Sequence, residues 1–392
     1  MRSANDHISQ PSTIMDTAWW NDFFKFGAFL RLPDEKEVEK ETQILLWSGP
    51  FENLSELSEN EKCGQISIGY MNFFSSSMEL RKTPKPPFKS TMTDLQKSLQ
   101  EFQKSLKIDK NEFLETQDFK NLGFKDFEKT IQSILGKIQR GELEKAVPVV
   151  FSRTAHQATL ANKVSWMLNL LQTPPNLNAF GFWEKEFGIM GATPEILFRR
   201  KNGKVTTMAL AGTMPRSEIG KRNSLLKDPK ELHEHQLVVE DLQRQLSKWG
   251  WVKKTPPRIL ELPTLLHLQT LLEIDGVNCG VKELILQLHP TPALGVAPRA
   301  YGYHWLSSTS DQEGRRVFGA PILFSIPAGP DSVESEEFCL VAIRNIQWDA
   351  EGCRVGTGCG VVNESQPDQE WQELQEKFNS VMLMLGIKGK NA

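Results

Sequence analysis

The spacing Glu-x-x-Glu occurs on two long amphipathic stretches that lie far apart in the chain. The first, about Pro229 to Lys248, carries Glu231 and Glu234. The second, about Pro367 to Leu385, carries Glu370 and Glu373, with Lys377 four residues further on. Positions i, i+3 and i+7 share one face of a helix. Leu232, Val239, Leu242 and Leu246 supply an apolar stripe to the first stretch, and Trp371, Leu374, Phe378, Val381 and Leu385 supply one to the second. Both therefore read as helices that bury one stripe and hold out two carboxylates. If the acidic faces converge, they make an oxygen site suited to Mg²⁺, which keeps waters and takes one or two carboxylates beside an anionic ligand. If they do not, each is a solvated acidic face.

Other metal and cofactor patterns fail on spacing. His233 and His235 are two apart and point to different sides of a helix, so they are not His-Glu-x-x-His. Neither stretch has the Glu-x-x-His of di-iron bundles. No glycine-rich phosphate loop joins a strand to a helix. The five cysteines, Cys63, Cys279, Cys339, Cys353 and Cys359, contain no Cys-x-x-Cys pair, which argues against a zinc ribbon or a disulfide scaffold. With 46 basic and 49 acidic residues the net charge is -3, unlike a general nucleic-acid binder, so no nucleic-acid partner is expected. No run of roughly 18 apolar residues suggests a membrane span. The start, Met1 to Ser12, is polar and lacks an apolar signal core. These features lead to the expectation of a soluble, cytoplasmic protein.

Strand and helix signals mix without regular β-α-β alternation, which favours an α+β fold. Ala146–Phe151, Phe180–Met190, Ile196–Arg199, Val205–Ala209 and Cys339–Trp348 read as strands, and about Asp126 to Arg140 as a helix. Polar helical segments are expected around Leu95 to Leu106. The aromatics Trp19, Trp20, Phe23, Phe24, Phe26 and Phe29 read as core. The basic, proline-rich RKTPKPPFK (81–89) reads as a surface connection. The character of the chain changes after Asn121, so residues 1–120 are expected to form a variable first part and 121–392 the ligand-binding part of one intertwined fold.

Nine blocks then fall in an order that resembles the chorismate-utilising enzymes: isochorismate synthase, salicylate synthase, anthranilate synthase component I and aminodeoxychorismate synthase component I. They are GELEKAVPVVFSR (141–153), GATPEILFRR (191–200), ALAGTMPR (209–216), KELHEH (230–235) and LLHLQT (265–270), then LHPTPALG (288–295), FGAPI (318–322), VAIR (341–344) and GCGVVNESQPDQEWQELQEK (358–377). The resemblance covers about Lys125 to Gly386. It implies two large antiparallel β-sheets packed face to face with helices outside, and one Mg²⁺ that bridges a substrate carboxylate. On the matching positions, Glu234 and Glu373 look like the metal-binding carboxylates, and Glu231 and Glu370 like partners of metal-bound water. Arg344 and Lys377 match positions that hold a substrate carboxylate. Backbone N–H groups at Gly212-Thr213 and at Gly358 to Gly360 can approach an anion. His289 matches a histidine beside the substrate ring, and His267 has a lesser claim of that kind.

Members of such a family differ in the nucleophile that attacks the ring. Those that use water need a general base, a lysine at the start of a strand, and a general acid, the glutamate of Thr/Ser-Pro-Glu. The acid is matched by Glu195, and Ala211 stands where aminodeoxychorismate synthases have lysine. The base falls on Pro148 if VVFSR is aligned and on Lys145 if GELEK is aligned, and the sequence leaves both open. Residues three apart in a regular strand face opposite sides, so Lys145 reaches that place only if the strand bulges, which a proline permits. Leu323, where glycine is usual, and Gly295-Val296 depart from the pattern and bear on pocket shape. The resemblance thus implies an isochorismate synthase-like isomerase acting on chorismate for menaquinone or siderophore synthesis, a monomer or homodimer without an amidotransferase subunit. The alternatives are a salicylate synthase, an ammonia-using member, or a chorismate-binding homologue that has lost water activation.

Overall fold

The computed structural model describes residues 15–32, 42–54, 66–106, 113–121, 123–309, 315–327 and 335–389. The polar start and Cys63 lie outside the described residues. Two large antiparallel sheets dominate. The first has eight strands in the order Phe88–Thr91, Gln43–Ser48, Phe26–Arg31, Asn178–Glu184, Phe187–Thr193, Asn345–Asp349, Gly352–Gly358, Val149–Thr154. The second has ten, including Leu265–Ile274, Lys204–Pro215, Ile196–Lys201, Ser335–Val341, Pro321–Pro327 and Ile68–Tyr70 in that order.

The central strands are buried on both faces, and for that reason they read as nearly continuous apolar runs. In Phe26–Arg31, Ala28 and Leu30 point to the other sheet, where Ile322, Phe324 and Leu340 meet them, while Phe29 points to the outer helices. Trp47 packs on Phe324 across this gap, with ring centroids 5.5 Å apart. Trp20, Phe23, Phe24 and Phe29 are core as expected. Early and late parts of the chain share both sheets: Phe26–Arg31 pairs with Asn178–Glu184, and Ile68–Tyr70 pairs with Pro321–Pro327.

The chain changes sheet at points that the sequence reading ran through. Cys339–Trp348 is two strands, one in each sheet, broken at Ala342–Arg344. Phe180–Met190 is a hairpin that turns at Lys185, which has φ +49°. The 81–89 segment is not a simple surface connection: it ends one strand of the second sheet, Glu79–Lys82, and begins one of the first, Phe88–Thr91. Apolarity alone does not mark such breaks, because strands on either side are equally buried.

The two acidic helices form as predicted, at Pro229–Leu246 and Pro367–Leu385. Each starts with proline at the first position, where no N–H is needed. Asp228 caps the first helix by accepting from the Lys230 and Glu231 N–H groups. Gly386, at φ +69°, ends the second in the left-handed conformation. Among the described residues no helix is long and apolar enough to cross a membrane, and Cys279, Cys339, Cys353 and Cys359 are free.

Candidate active site

Two crossings between the sheets lie side by side. Pro194-Glu195 joins Phe187–Thr193 to Ile196–Lys201, and Ala342–Arg344 joins Ser335–Val341 to Asn345–Asp349. Val341 N–H donates to the Glu195 carbonyl at 3.1 Å, and Ala192 N–H donates to the Arg344 carbonyl at 3.1 Å. The Thr193 hydroxyl donates to the Val341 carbonyl at 2.8 Å. Arg344 has φ +52°, unusual for a residue with a side chain. These bonds fix an acid and a cation next to one another at the seam of the sheets.

Glu195 is fully buried. Burial pushes its carboxyl up to about 8, against the pull of Lys145, Arg344 and Lys377. At neutral pH it therefore carries a proton. Burial lowers Arg344 to about 10, opposed by Glu373 and Glu195. Arg344 Nη2 donates to His267 Nε2 at 3.5 Å. His267 Nδ1 lies 3.1 Å from the Thr213 hydroxyl and 3.4 Å from the Gly212 carbonyl. Burial, then Arg344 and Lys377, hold this imidazole neutral, with its proton on Nδ1.

The four glutamates of the two helices converge, and lysines stand among them. Lys145 Nζ lies 2.8 Å from Glu234 Oε1. Lys377 Nζ lies 2.5 Å from Glu373 Oε1 and donates to the Gly358 carbonyl at 2.6 Å. Lys230 Nζ bridges the helices, 2.8 Å from Glu370 Oε1 and 3.5 Å from Glu231 Oε1. Burial and Glu234 push Glu231 up to about 7 against Lys230 and the Thr213 N–H. Burial, then Glu373, raises Glu370. Burial also acts to raise Glu234, but Lys145, with Lys230 and Lys377, outweighs it and holds that carboxylate below its usual range.

The strand is broken at Pro148. Lys145–Ala146 pairs with Val296–Ala297, Val147-Pro148 interrupts, and Val149–Thr154 continues in the eight-stranded sheet. The Lys145 side chain is wholly buried and aims at Glu234. Gly360 makes this approach possible: a Cβ there would lie 2.1 Å from Glu234 Oε1 and 2.7 Å from Lys145 Cε. Gly212, at φ +79°, sits in a bulge, and a Cβ there would meet the Glu231 carbonyl at 2.9 Å.

At three of the expected ligand-facing places the structure shows local contacts that the sequence did not. The Thr213 N–H does not stand open for an anion, because it donates to Glu231 Oε2 at 2.6 Å. In the Gly358–Gly360 loop the Gly358 carbonyl accepts from Lys377, so the same loop also presents an acceptor beside the N–H groups. His289 Nε2 donates to the Phe73 carbonyl at 2.9 Å, and its ring packs edge-on against Phe73 and Tyr303. Burial, with Arg315 and Arg299 nearby, lowers it to about 3, and its contacts among the described residues are with this group rather than the glutamates.

Sequence reasoning missed Lys230. A signal was present: a lysine in the first turn of a helix opposes the helix dipole and needs a local anion to justify it. It also missed His235, whose ring lies 3.2 Å from the Ala211 carbonyl and 2.8 Å from the Thr270 hydroxyl, and so ties the first helix to the strand that carries Gly212.

Among the described residues no three His, Cys, Asp or Glu side chains already form a metal-ligating group. The glutamates supply hard oxygen donors from two sides instead, with lysines as present counter-charges. Such a set fits a hard divalent cation that takes one or two carboxylates and leaves other positions to water or an anion.

The two-sheet α+β fold is a known architecture. An isochorismate synthase of Escherichia coli, MenF, matches with a TM-score of 0.70 at 20% identity, over 94% of this chain and 91% of that one. Anthranilate synthase component I of Streptococcus pneumoniae matches with a TM-score of 0.63 at 16% identity, over 98% of this chain and 95% of that one. These likenesses show the fold. The family model for chorismate binding enzymes matches residues 72–386, and the chain belongs to that family. The match begins well before Lys125, inside the part that the motifs left unassigned. Among curated relatives, the vibriobactin-specific isochorismate synthase of Vibrio cholerae is 28% identical over 277 residues, 67% of each chain. The Escherichia coli K12 isochorismate synthase MenF is 30% identical over 265 residues, 64% of this chain and 58% of that protein. The matched region thus spans only part of each relative's length.

Proposed function

We propose that this protein is an isochorismate synthase: it converts chorismate to isochorismate by adding water at one ring carbon and expelling the hydroxyl from another. The observation that carries this reading is the Lys145 amine, buried and aimed at Glu234 within the field that acts on the protonated Glu195. A base and an acid are thereby available in one enclosed seam, and each is typically worth about 10²–10⁴-fold. The names of the relatives point the same way.

In this reading chorismate, a dianion, lies between Arg344 and the glutamates. The Arg344 fork suits a carboxylate. Lys145, once its ammonium proton has passed to solvent, takes a proton from water as the water oxygen bonds to the ring. The ring double bonds shift, the C–O bond of the departing hydroxyl breaks, and Glu195 gives it a proton. The two groups restore one another by passing a proton back through solvent. Glu234 and Glu373 would hold Mg²⁺, with Glu231 and Glu370 behind them, and the ion would neutralise a substrate carboxylate. Ala211, with no amine at that position, is consistent with water rather than ammonia, and no amidotransferase subunit is required. The product would feed menaquinone or siderophore synthesis.

The test is a chromatographic assay of purified protein with chorismate and Mg²⁺. Isochorismate is expected, and it should vanish in Lys145→Ala and Glu195→Gln. Its absence from the unmodified protein overturns the proposal. Salicylate instead would assign a synthase that also eliminates pyruvate, and product only with ammonium salts would assign the aminating chemistry.

A further inference from the structure

Asp241 and Arg299 form an ion pair that this chemistry does not use. Arg299 Nε donates to Asp241 Oδ1 at 3.0 Å and Nη2 donates to Oδ2 at 2.5 Å, two parallel bonds of a planar fork. Nη2 also donates to the Leu288 carbonyl at 3.1 Å, and Gln245 Nε2 donates to Asp241 Oδ1 at 3.2 Å. Asp241 is buried.

The pair's location gives it meaning. Asp241 lies seven residues beyond Glu234 on the helix Pro229–Leu246, so both carboxylates leave one face two turns apart. Arg299 follows Ala297 by two residues, and Ala297 is the residue opposite Lys145 in its short ladder. Glu144 N–H donates to the Ala297 carbonyl at 2.8 Å and Val147 N–H to the Gly295 carbonyl at 3.0 Å, which makes the ladder one unit. Besides the shared core of Val147 with Val238, Val239 and Leu242, two polar joins among the described residues link helix and ladder: Lys145–Glu234 within the site and Arg299–Asp241 outside it. Apolar packing and a single ion pair leave the two bodies free to shift by small sliding motions. A second, bidentate join removes that freedom.

We propose that Asp241 and Arg299 are positioning residues: they clamp the Lys145 ladder to the Glu234 helix and so set where the Lys145 amine stands. The catalytic consequence rests on the reading of Lys145 as base; the geometric one does not. A displacement of about 1 Å at a reacting group can cost roughly 10²-fold in rate.

The experiment compares Arg299→Gln, Arg299→Lys and Asp241→Asn with Arg200→Gln. Arg200 makes a similar fork to Glu337, with Nη2 to Oε1 at 2.8 Å, between other elements. The first readout is acetylation of Lys145 by an N-hydroxysuccinimide ester, followed by peptide mass spectrometry, with the buried Lys163 as reference for general opening. Lys145 labelling relative to Lys163 should rise about fivefold or more in Arg299→Gln and Asp241→Asn, less in Arg299→Lys, and not in Arg200→Gln. The second is kinetics: kcat should fall roughly 10²-fold while KM for chorismate moves less than about threefold. Labelling no greater than in Arg200→Gln overturns the proposal, as does an unchanged kcat in an active enzyme. Raised labelling in a protein that makes no isochorismate supports the clamp and removes the functional reading instead. If Arg299→Gln does not fold, Arg299→Lys and Asp241→Asn carry the same comparison.

Discussion

Lys145 and Glu234 meet at 2.8 Å because position 360 has no side chain to part them. A methyl group there would stand 2.1 Å from the Glu234 oxygen, closer than any packing allows. The atoms it would meet, Glu234 Oε1 and Cδ and Lys145 Cε, are all ends of flexible side chains, so the pair gives way rather than the backbone. Gly360→Ala is therefore expected to push the two side chains apart, at less than the roughly 1–3 kcal/mol of core overpacking, and to lower kcat far more than it raises KM. Thermal unfolding and steady-state kinetics on the same preparation check both parts. A variant with normal kcat would show that the pair need not form.

Lys145→Met separates the charge of the pair from its bulk. Glu234 is held below its usual range chiefly because Lys145 and two further lysines overcome burial. A carboxylate with a lowered folded pKa contributes stability above its unfolded value, and that contribution is lost as pH falls. Without Lys145, burial dominates and the contribution changes sign. Removing one partner of a buried pair costs about 3–5 kcal/mol. The variant should therefore be least stable relative to the parent at pH 7, and the gap should narrow below pH 4.5. Denaturant unfolding at several pH values measures it, and a gap independent of pH would contradict the argument.

Glu195 sets the alkaline side. Its carboxyl sits at about 8 in the fold, above the usual 4.5, because of burial. The proton it holds is the one the departing hydroxyl needs, so kcat should decline as pH rises through about 8. The same shift affects stability. A raised folded pKa gives a contribution that is complete below 4.5 and lost as pH climbs to about 8. Glu195→Gln should abolish turnover while making unfolding less sensitive to alkali. An alkaline limb that survives the substitution in stability assays would assign it to another group, such as Glu231 at about 7.

The helices of the site were legible because an apolar period, proline at the first turn and Glu-x-x-Glu act together in short windows. The motif order also foresaw that Glu195, Arg344 and the glutamates belong to one neighbourhood. What escaped were features made by tertiary pairing. The sheet change at Ala342–Arg344 sits inside an apolar run, and burial on both sides erases any local mark. The Lys145 ladder depends on Val296–Ala297, which sequence distance hides. His289 was read from its motif, yet the carbonyl of Phe73, far off in the chain, holds its ring. Lys230 looked like an ordinary neighbour of Glu231 until the second helix brought Glu370 to it.

Lys230 offers a test of the metal reading. Burial opposes its charge, but Glu370 and Glu231 outweigh this and hold its ammonium well above the usual range. Among the described residues, Lys230→Met leaves Lys145 and Lys377 as the lysines in contact with these glutamates, on Glu234 and Glu373. Repulsion between the two helix faces should then lower the melting temperature in the absence of divalent ions. If these carboxylates hold Mg²⁺, the more negative site binds it more tightly. A ligand that binds only the folded state stabilises by RT ln(1 + [L]/Kd), so each addition of Mg²⁺ should raise the variant's melting temperature more than the parent's. Sodium chloride at equal ionic strength controls for screening. Calorimetric titration with Mg²⁺ alone should show the same order of affinities. Equal responses in parent and variant would mean that Lys230 does not compete with the ion, or that the ion binds elsewhere.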